Sequence, residues 1–339
     1  MVQLPSPPAD RGPRPRHLVP GDQVALVAPS GPVDPARLAL GTRILRSWGL
    51  RPRPAPHLLD RHPVLGHLAG TDADRAADFQ SAWLDPRTAA VFCARGGYGT
   101  QRMVELIDWD ALRAAPPKIL IGFSDATVLH EAVARHLGIP TLYGPMPGAV
   151  SFSADPPTAE HLRRTLFEPA GTTVLTSRTA APLVPGRARG TTAGGCAAVL
   201  AAERGTRTAR PSFAGTVLLL EDVNEQPYQL DRILTQLLRS GALDGVAGIA
   251  LGSWAGCGPA DRVRAVMLDR LAPLGVPVLW ELGFGHSPST LTVPLGVTVT
   301  LDAGTGTLTL DEPALAAPAP APASASAPAR PDGAPPTTG

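Results

Sequence analysis

A short segment of the chain has the residue types and spacing of an activated serine. Residues 119–127 read Ile-Leu-Ile-Gly-Phe-Ser-Asp-Ala-Thr, so an apolar strand runs into Ser124 and then into a helix. Gly122 and Ala126 are small enough for a tight strand-to-helix turn that lifts the hydroxyl clear of the backbone. The N–H group of Asp125 could then bind an oxyanion. The structural alternative is that Ser124 only caps the helix, as serine commonly does.

A glycine-rich loop, Arg-Gly-Gly-Tyr-Gly at residues 95–99, follows another apolar strand. Gly96 and Gly97 allow a ligand to approach the backbone closely and leave N–H groups pointing outward. The loop is not a phosphate-binding loop, because the Gly-Lys-Ser/Thr ending is absent. It is a candidate binding loop, and a plain turn is the alternative.

Two further segments place an acid and a histidine at strand ends. Glu221, Asp222 and Glu225 follow an apolar strand, where a carboxylate is well placed to orient an imidazole, and a solvated acidic loop is the alternative. His286 lies in the loop Gly-Phe-Gly-His-Ser-Pro, where a histidine is a better candidate for a general base than on a helix face. Together with Ser124 these residues would make a nucleophilic triad, although geometry and not chain order defines one.

The remaining histidines and cysteines form no metal or redox motif. The three cysteines lie far apart, and no two have zinc-ligand or redox-pair spacing. His130 and Glu131 do not begin a His-Glu-x-x-His motif, because residue 134 is alanine. We therefore expect neither a metal nor an organic cofactor.

The elements that must position these residues alternate between strand and helix in the first half of the chain. The predicted strands are 23–28, 88–94 and 118–122, and the predicted helices are 34–48, 71–84, 101–107 and 125–137. Such repeats with apolar strands predict a parallel sheet with helices on both faces. Ligands bind these sheets at the carboxyl ends of the strands, where the glycine loop and Ser124 both stand.

The second half mixes helices and strands and ends in antiparallel pairing. The predicted strands are 216–220, 248–251 and 276–280, the predicted helices are 191–202, 229–240 and 260–271, and the predicted final hairpin joins 298–301 to 307–310. The expected divisions are a disordered leader at 1–16, an N-terminal domain at 17–150, an interdomain connection at 151–189, a C-terminal domain at 190–312 and a disordered Ala/Pro tail at 313–339. We expect removal of the tail to change neither melting nor activity.

Length and composition limit the classes of partner. The 339 residues suggest about two domains, each able to bury a core without disulfides or metal. With 30 Lys and Arg against 29 Asp and Glu, the net charge of +1 argues against a general nucleic-acid binder. No apolar run reaches the ~18 residues of a membrane helix, and no secretory signal is recognisable at the N-terminus. We expect a cytoplasmic protein with no nucleic-acid or membrane partner.

Seven stretches of the chain, in order, are more specific than any single motif. They are VALVAPSGPV, GHLAGTDADRAADFQSAW, AVFCARGGYGTQRMVELIDWDAL, LIGFSDATVLH, LYGPM, LLLEDVNEQPYQLDRIL and GFGHSPSTLTVPLG. Together they resemble the LD-carboxypeptidase family of serine peptidases, which includes murein tetrapeptide carboxypeptidase and the microcin-immunity peptidases. They extend from about residue 21 to residue 302. The resemblance implies an N-terminal flavodoxin-like α/β domain that carries the serine, a smaller C-terminal α/β domain that carries the acid and the histidine, and a homodimer.

The resemblance also implies a role for each candidate residue. Ser124 is the nucleophile, Glu221 the orienting acid in preference to Glu225, and His286 the general base. The oxyanion hole combines the N–H of Asp125 with that of Gly96 or Gly97. Residues that could bind the substrate, a muropeptide with a free carboxylate, are Arg95, Tyr98 and Arg232.

One departure from the family pattern bears on the substrate. The family commonly has Gly-Gly-Asn-Leu where this chain has Gly194-Gly195-Cys196-Ala197. The implied activity is release of the C-terminal D-alanine from murein tetrapeptides during cell-wall recycling. The alternatives are a microcin-immunity-type peptidase that hydrolyses a peptidyl or aminoacyl nucleotide antibiotic, and a non-catalytic muropeptide-binding module.

Overall fold

The computed structural model of the chain describes residues 12–318, which form two β-sheets with helices packed against them. The strands are β1 (Gln23–Val27), β2 (Arg51–Pro54), β3 (Thr88–Cys93), β4 (Ile119–Gly122), β5 (Thr141–Tyr143), β6 (Val174–Thr176), β7 (Ala181–Val184), β8 (Arg187–Cys196), β9 (Thr216–Val223), β10 (Gly248–Ala255), β11 (Val278–Trp280), β12 (Val293–Leu295), β13 (Thr298–Asp302) and β14 (Thr307–Leu310). The helices are α1 (Pro35–Ser47), α2 (Asp72–Leu84), α3 (Thr100–Met103), α4 (Trp109–Ala114), α5 (Thr127–Leu137), α6 (Val150–Ala154), α7 (Pro156–Phe167), α8 (Ala197–Ala202), α9 (Pro227–Arg239) and α10 (Ala260–Leu271).

The first sheet has six strands in the order β12-β5-β4-β3-β1-β2. Its first five strands along the chain run parallel, in the order 2-1-3-4-5 that defines a flavodoxin-like sheet. The predicted N-terminal fold class is therefore confirmed. The inner strands β1, β3 and β4 are apolar because both faces of the sheet are covered there, and every residue of β4 is buried. One edge is closed by β12, which comes from the far end of the chain and pairs antiparallel with β5.

The second sheet has eight strands in the order β6-β14-β13-β8-β9-β10-β11-β7. Its centre, from β8 to β11, is parallel. Both of its sides are antiparallel, and β13 and β14 form the predicted final hairpin. The C-terminal part of the chain is thus a mixed α/β structure, as predicted.

Local capping explains where helices α1 and α2 begin. The side chains of Asp34 and Thr71 accept hydrogen bonds from backbone N–H groups in the first turns of α1 and α2. The apolar faces of these helices then pack into one large cluster with the strands of the first sheet. A second cluster lies between the central strands of the second sheet and helices α8, α9 and α10.

The helix predicted over residues 191–202 is wrong in its first half. Residues 191–196 continue β8, and only α8 is helical. Pairing of β8 with β9 over six positions determines this conformation. Gly194 and Gly195 also have positive φ angles, which a right-handed helix does not accommodate. The expected connection at 151–189 contains two helices, two strands and the start of β8.

Parts of the predicted leader and of the predicted tail contact the folded body. Arg16 and Ala316 form a β-bridge, and Ala316 N–H donates to the carbonyl of Pro15. Ala314 and Leu315 are buried against the first-sheet cluster. Residues 12–16 and 313–317 therefore pack on the body. The rest of both predicted segments lies outside the described residues.

Candidate active site

Ser124 stands on a strained turn between β4 and α5. Its φ of 63° is in the left-handed region, which residues with a Cβ rarely adopt. The turn is tight, because a Cβ added at Gly122 would lie 2.9 Å from Ala126 Cβ. Thr127 Oγ1 stabilises the turn by donating to the Ser124 carbonyl at 2.6 Å. The geometry is that of the strand–turn–helix elbow that the small residues predict.

The glycine loop approaches this turn directly. A Cβ on Gly96 would lie 3.0 Å from Ser124 Cβ and 3.2 Å from Ser124 Oγ. Within residues 12–318, the N–H groups of Gly96 and Gly97 have no hydrogen-bond acceptor. Asp125 is buried and anchors the loop, since its carboxylate accepts from Thr100 N–H at 2.9 Å and Thr100 Oγ1 at 2.6 Å. The two predicted sources of oxyanion donors thus lie side by side.

Glu221 and His286 form a hydrogen-bonded pair. Glu221, near the carboxyl end of β9, is fully buried, and its Oε2 lies 2.7 Å from His286 Nδ1. The same oxygen accepts from the backbone N–H of His286 at 3.1 Å. A carboxylate at Nδ1 fixes the tautomer in which Nε2 carries the lone pair. Glu225, the rival acid, makes no hydrogen bond to His286 within the described chain.

A glycine in the His286 loop makes this pairing possible. Gly285 has a φ of 93°, and a Cβ at this position would overlap Glu221 Oε2. Any other side chain would therefore strain the backbone and displace the carboxylate. Gly285 is in this sense part of the site.

Tyr143 connects the serine turn to the acid, and the sequence did not indicate this role. Its hydroxyl accepts the backbone N–H of Ser124 at 3.0 Å and donates to Glu221 Oε1 at 2.6 Å. Tyr143 ends β5 directly opposite Gly122 in the parallel register. A usable signal was its place at a strand end beside the serine, because a buried tyrosine hydroxyl needs a partner.

The electrostatics suit a histidine base beside a carboxylate. Burial alone would lower the pKa of His286, but the hydrogen bond and the charge of Glu221 outweigh it, and the pKa is raised above 6.5. Burial and the charge of Glu221 raise the pKa of Tyr143 well above 10, so this hydroxyl keeps its proton and donates it. No hydrogen bond joins Ser124 Oγ to His286 within the described residues. Such contacts are often loose without substrate.

Cys196 and Asp222 lie close to Glu221, and their hydrogen bonds hold neighbouring elements together. Cys196 N–H donates to Thr127 Oγ1 at 3.0 Å, and its thiol lies 3.6 Å from Asp222 Oδ1. Burial raises the pKa of Asp222 to about 6, and its Oδ2 accepts from Ala198 N–H at the start of α8. Asp222 is therefore a helix cap and not part of a solvated acidic loop.

The three residues predicted to bind substrate have weaker connections to Ser124, Glu221 and His286 than Tyr143 has. Arg95 donates to the Pro32 carbonyl at 2.6 Å, beside the glycine loop. Tyr98 is 44% exposed, with its ring 6.0 Å from that of His67. Arg232 is exposed on α9 and has no hydrogen bond to Ser124, Glu221 or His286 in the described part of the chain.

Two negative findings concern residues 12–318. These residues contain no group of three His, Cys, Asp or Glu side chains that could hold a metal ion. None of their helices has the length and apolar character needed to cross a membrane.

The fold and this arrangement define a class of protein. A serine on a strained elbow, with oxyanion donors beside it and a carboxylate-bound imidazole nearby, characterises an α/β serine hydrolase. Comparison with known families makes the class specific. Residues 24–144 match the LD-carboxypeptidase N-terminal domain, and residues 189–301 match the LD-carboxypeptidase C-terminal domain. The chain belongs to the LD-carboxypeptidase family.

Individual relatives agree with this membership. A candidate carboxypeptidase of Streptomyces coelicolor is 59% identical over 84% of this chain and 91% of its own. The murein tetrapeptide carboxypeptidase of Pseudomonas aeruginosa is 34% identical over 81% of this chain and 91% of its own.

Solved structures share the whole architecture. The muramoyltetrapeptide carboxypeptidase of Oxalobacter formigenes is 27% identical, with a TM-score of 0.72 over 85% of this chain and 97% of its own. A microcin C7 self-immunity protein is 23% identical, with a TM-score of 0.77 over 89% of this chain and 99% of its own. At that identity the second likeness concerns the fold alone.

Proposed function

We propose that this protein is a serine LD-carboxypeptidase that releases the C-terminal D-alanine of murein tetrapeptides, with Ser124, His286 and Glu221 as its triad. The observation that carries the proposal is the buried Glu221–His286 pair, which Tyr143 connects to the strained serine turn. We also propose that it acts as a cytoplasmic homodimer in cell-wall recycling, as the family resemblance suggests.

The first half of the reaction forms an acyl-enzyme. Ser124 Oγ attacks the carbonyl carbon that precedes D-alanine, and its proton passes to His286 Nε2. Glu221 stabilises the imidazolium that forms. The N–H groups of Asp125 and of Gly96 or Gly97 bind the oxyanion, and each such donor contributes about 10²–10³ in kcat. His286 then protonates the leaving amine, the C–N bond breaks and D-alanine departs.

Water completes the reaction. A water molecule gives a proton to His286 Nε2 as its oxygen attacks the acyl ester, and a second oxyanion forms in the same place. Collapse of this intermediate breaks the ester bond, and His286 returns the proton to Ser124 Oγ. The products are D-alanine and the shortened peptide.

The substrate class follows the curated relatives. Two relatives at 34% identity carry murein peptide names, whereas the microcin C7 self-immunity structures are 23% identical. This difference favours a murein peptide over a peptidyl or aminoacyl nucleotide. A non-catalytic binding module is disfavoured because it would not need a serine held at a φ of 63°.

The test is mass spectrometry of purified protein incubated with a murein tetrapeptide, beside a Ser124→Ala variant. We expect wild type to release one D-alanine and the variant to lose about 10⁶-fold in kcat, as when a triad nucleophile is removed. An aminoacyl nucleotide serves as a parallel substrate.

Each alternative predicts a different result in this test. Hydrolysis of the nucleotide alone would support the immunity-type activity. Cleavage of neither compound would support the binding module. Near wild-type turnover by Ser124→Ala would exclude Ser124 as the nucleophile.

A further inference from the structure

Arg75 of helix α2 carries a buried positive charge beside the glycine loop. Its side chain is only 1% exposed, although arginine is almost never fully buried without partners. Its Nη2 donates to the carboxylate of Asp72 in the same helix, and its Nη1 donates to the backbone carbonyl of Pro29. A buried charge is costly, so these two acceptors must offset the loss of its hydration.

The pair with Asp72 does not explain why Arg75 is buried. Asp72 is already paired with Arg102, whose Nη2 lies 2.9 Å from Asp72 Oδ2. Arg75 Nε is also buried without a hydrogen-bond partner in the described part of the chain, an arrangement that costs stability. The contact of Arg75 that Arg102 does not duplicate there is the bond to Pro29.

Pro29 lies in the turn after β1, and this turn is bonded to the glycine loop. Gly31 N–H donates to the Gly96 carbonyl at 3.1 Å. The Gly96 carbonyl and the Gly97 N–H belong to one planar trans peptide, in which they point in opposite directions. The bond from Gly31 therefore keeps the Gly97 N–H pointing away from the turn after β1.

A second set of buried bonds connects the same turn to the oxyanion donor that follows Ser124. Thr100 Oγ1 donates to Asp125 Oδ2 at 2.6 Å, so it accepts the hydroxyl of Ser30, whose Oγ lies 2.9 Å away. Ser30 and Thr100 have no solvent exposure. The turn that Arg75 binds is thus fixed to both predicted sources of oxyanion donors.

The backbone of the glycine loop packs directly on the guanidinium. Gly99 has a φ of 138°, and a Cβ there would lie 2.6 Å from Arg75 Nη1. Burial lowers the pKa of Arg75, whereas the charges of Asp72 and Asp125 raise it. Burial likewise raises the pKa of Asp125, whereas the charge of Arg75 lowers it. The buried cation and the buried carboxylate therefore stabilise each other across the loop.

We propose that Arg75 is a positioning residue for the oxyanion hole. By binding the Pro29 carbonyl it holds the turn after β1, whose Gly31 N–H keeps the Gly96–Gly97 peptide oriented so that the Gly97 N–H can bind the oxyanion. Arg75 acts through this turn and not by contact with the reacting atoms. The inference rests on the proposed function, because it assigns a role in that reaction.

Arg75→Met tests the proposal, because methionine keeps an unbranched stem and removes every donor. We expect kcat on the murein tetrapeptide to fall about 10²–10³-fold, as when one oxyanion donor is lost, with KM unchanged. A side chain that only contributed packing would lower Tm and leave the kcat of the folded protein unchanged. Arg102→Met is the matched control, since it removes the other partner of Asp72, and it should change neither kcat nor KM.

A second variant leaves Arg75 in place and disturbs the next contact. A Cβ at Gly31 would lie 3.2 Å from the Gly96 carbonyl oxygen, so Gly31→Ala pushes these two residues apart. We expect a lower kcat with an unchanged KM. Because both substitutions act on the same peptide, the double variant should be no slower than the slower single variant. Losses that multiply in the double variant would overturn the proposal.

Arg75→Lys replaces Arg75→Met in these measurements if the methionine variant does not fold. Lysine keeps the charge, but its single nitrogen lacks the planar fork that reaches Asp72 and Pro29 together. We expect the same fall in kcat at constant KM, smaller in size. A folded Arg75→Lys protein with the kcat of wild type would overturn the proposal.

Labelling by a fluorophosphonate separates this proposal from the proposed function, because it needs no peptide recognition. Ser124 Oγ bonds to phosphorus, its proton passes to His286, fluoride leaves, and the phosphoryl oxygen occupies the oxyanion hole. The rate is measured by mass spectrometry of the labelled protein. We expect Arg75→Met to slow labelling about as much as it lowers kcat, and Arg102→Met to leave the labelling rate unchanged.

The labelling rates decide the proposal even if wild type cleaves no tetrapeptide. In that case the proposed function fails, and slower labelling of Arg75→Met than of wild type still supports the positioning role. Equal labelling rates of wild type and folded Arg75→Met would overturn it. If wild type neither reacts with the reagent nor cleaves the peptide, both proposals fail.

Discussion

At the residue scale, the site is a set of hydrogen bonds around one buried carboxylate. Glu221 has no solvent exposure, and a buried charge is costly unless donors surround it. Three donors do so, namely Tyr143 Oη, the backbone N–H of His286 and its Nδ1. Because Tyr143 also accepts Ser124 N–H, the same bonds that stabilise the charge align the serine turn with the histidine.

Tyr143→Phe should lower kcat/KM and shift its pH dependence. His286 must be neutral to act as a base, so kcat/KM should rise with pH through an apparent pKa above 6.5 in wild type. Removing the Tyr143 hydroxyl leaves more negative charge facing the imidazolium, which raises the His286 pKa further. We expect a loss of about 10- to 100-fold at neutral pH and an acidic limb moved to higher pH, measured as a pH–rate profile.

The control for this change is Tyr228→Phe, which alters a tyrosine that is 69% exposed. It should leave both rate and profile unchanged. A Tyr143→Phe profile that falls uniformly, with the acidic limb unmoved, would mean that Tyr143 only fills space.

The sequence indicated the candidate residues at the carboxyl ends of strands better than it indicated the hydrogen bonds that connect them. Ser124, Glu221 and His286 could be proposed from the sequence because each lies at or shortly after the carboxyl end of an apolar strand, where ligands bind parallel sheets. The role of Tyr143 depends on β5 lying beside β4 in register, which only tertiary pairing determines.

At the element scale, β4 and the turn before α5 pack so closely that residue 122 has no room for a side chain. A Cβ on Gly122 would lie 2.9 Å from Ala126 Cβ and 3.0 Å from Cys93 Sγ. Ala126 and Cys93 are both fully buried in the core, so neither atom can move at little cost. Gly122 thus allows β4 to pack closely against the turn that carries Ser124, and this packing determines the position of the Ser124 hydroxyl.

Gly122→Ala should therefore destabilise the protein and reduce activity together. Overpacking of this kind costs about 1–3 kcal/mol, which corresponds to a fall in Tm of several degrees. The measurements are Tm by calorimetry and kcat/KM on the tetrapeptide. Gly66→Ala is the matched control, because its added methyl group meets no atom within 4 Å. An unchanged Tm in Gly122→Ala would mean that the turn is not packed as tightly as described.

Sequence pattern predicted the bounds of several long helices to within two residues. Helix α10 was predicted with its observed bounds, and α2 within one residue. The failure at 191–196 has a local cause. An Ala-rich helix follows without a break, and the glycines of β8 offer no strand signal of their own.

At the scale of the whole molecule, the candidate site joins both sheets. Ser124 comes from the first sheet, Glu221 from the second, and Tyr143 crosses between them. The far end of the chain also returns to the first sheet, first through β12 and then through residues 313–317. The composition of the tail concealed this last contact, because two buried apolar residues are a weak signal next to a long Ala/Pro run.

Leu315→Ala should lower stability without affecting catalysis. Leu315 is 3% exposed and belongs to the first-sheet cluster. In the described part of the chain no hydrogen bond joins it to the serine turn or to the Glu221–His286 pair. Truncating a buried leucine costs about 2–5 kcal/mol, so we expect Tm to fall by at least about 4 °C and kcat/KM to stay unchanged. Leu59→Ala, at a leucine that is 54% exposed, should alter neither quantity. The same reasoning reverses the expectation that residues 313–339 are dispensable for melting, since their removal takes Leu315 and the pairing of Arg16 with Ala316 away together. An unchanged Tm in Leu315→Ala would show that the chain end contributes no stability despite its burial.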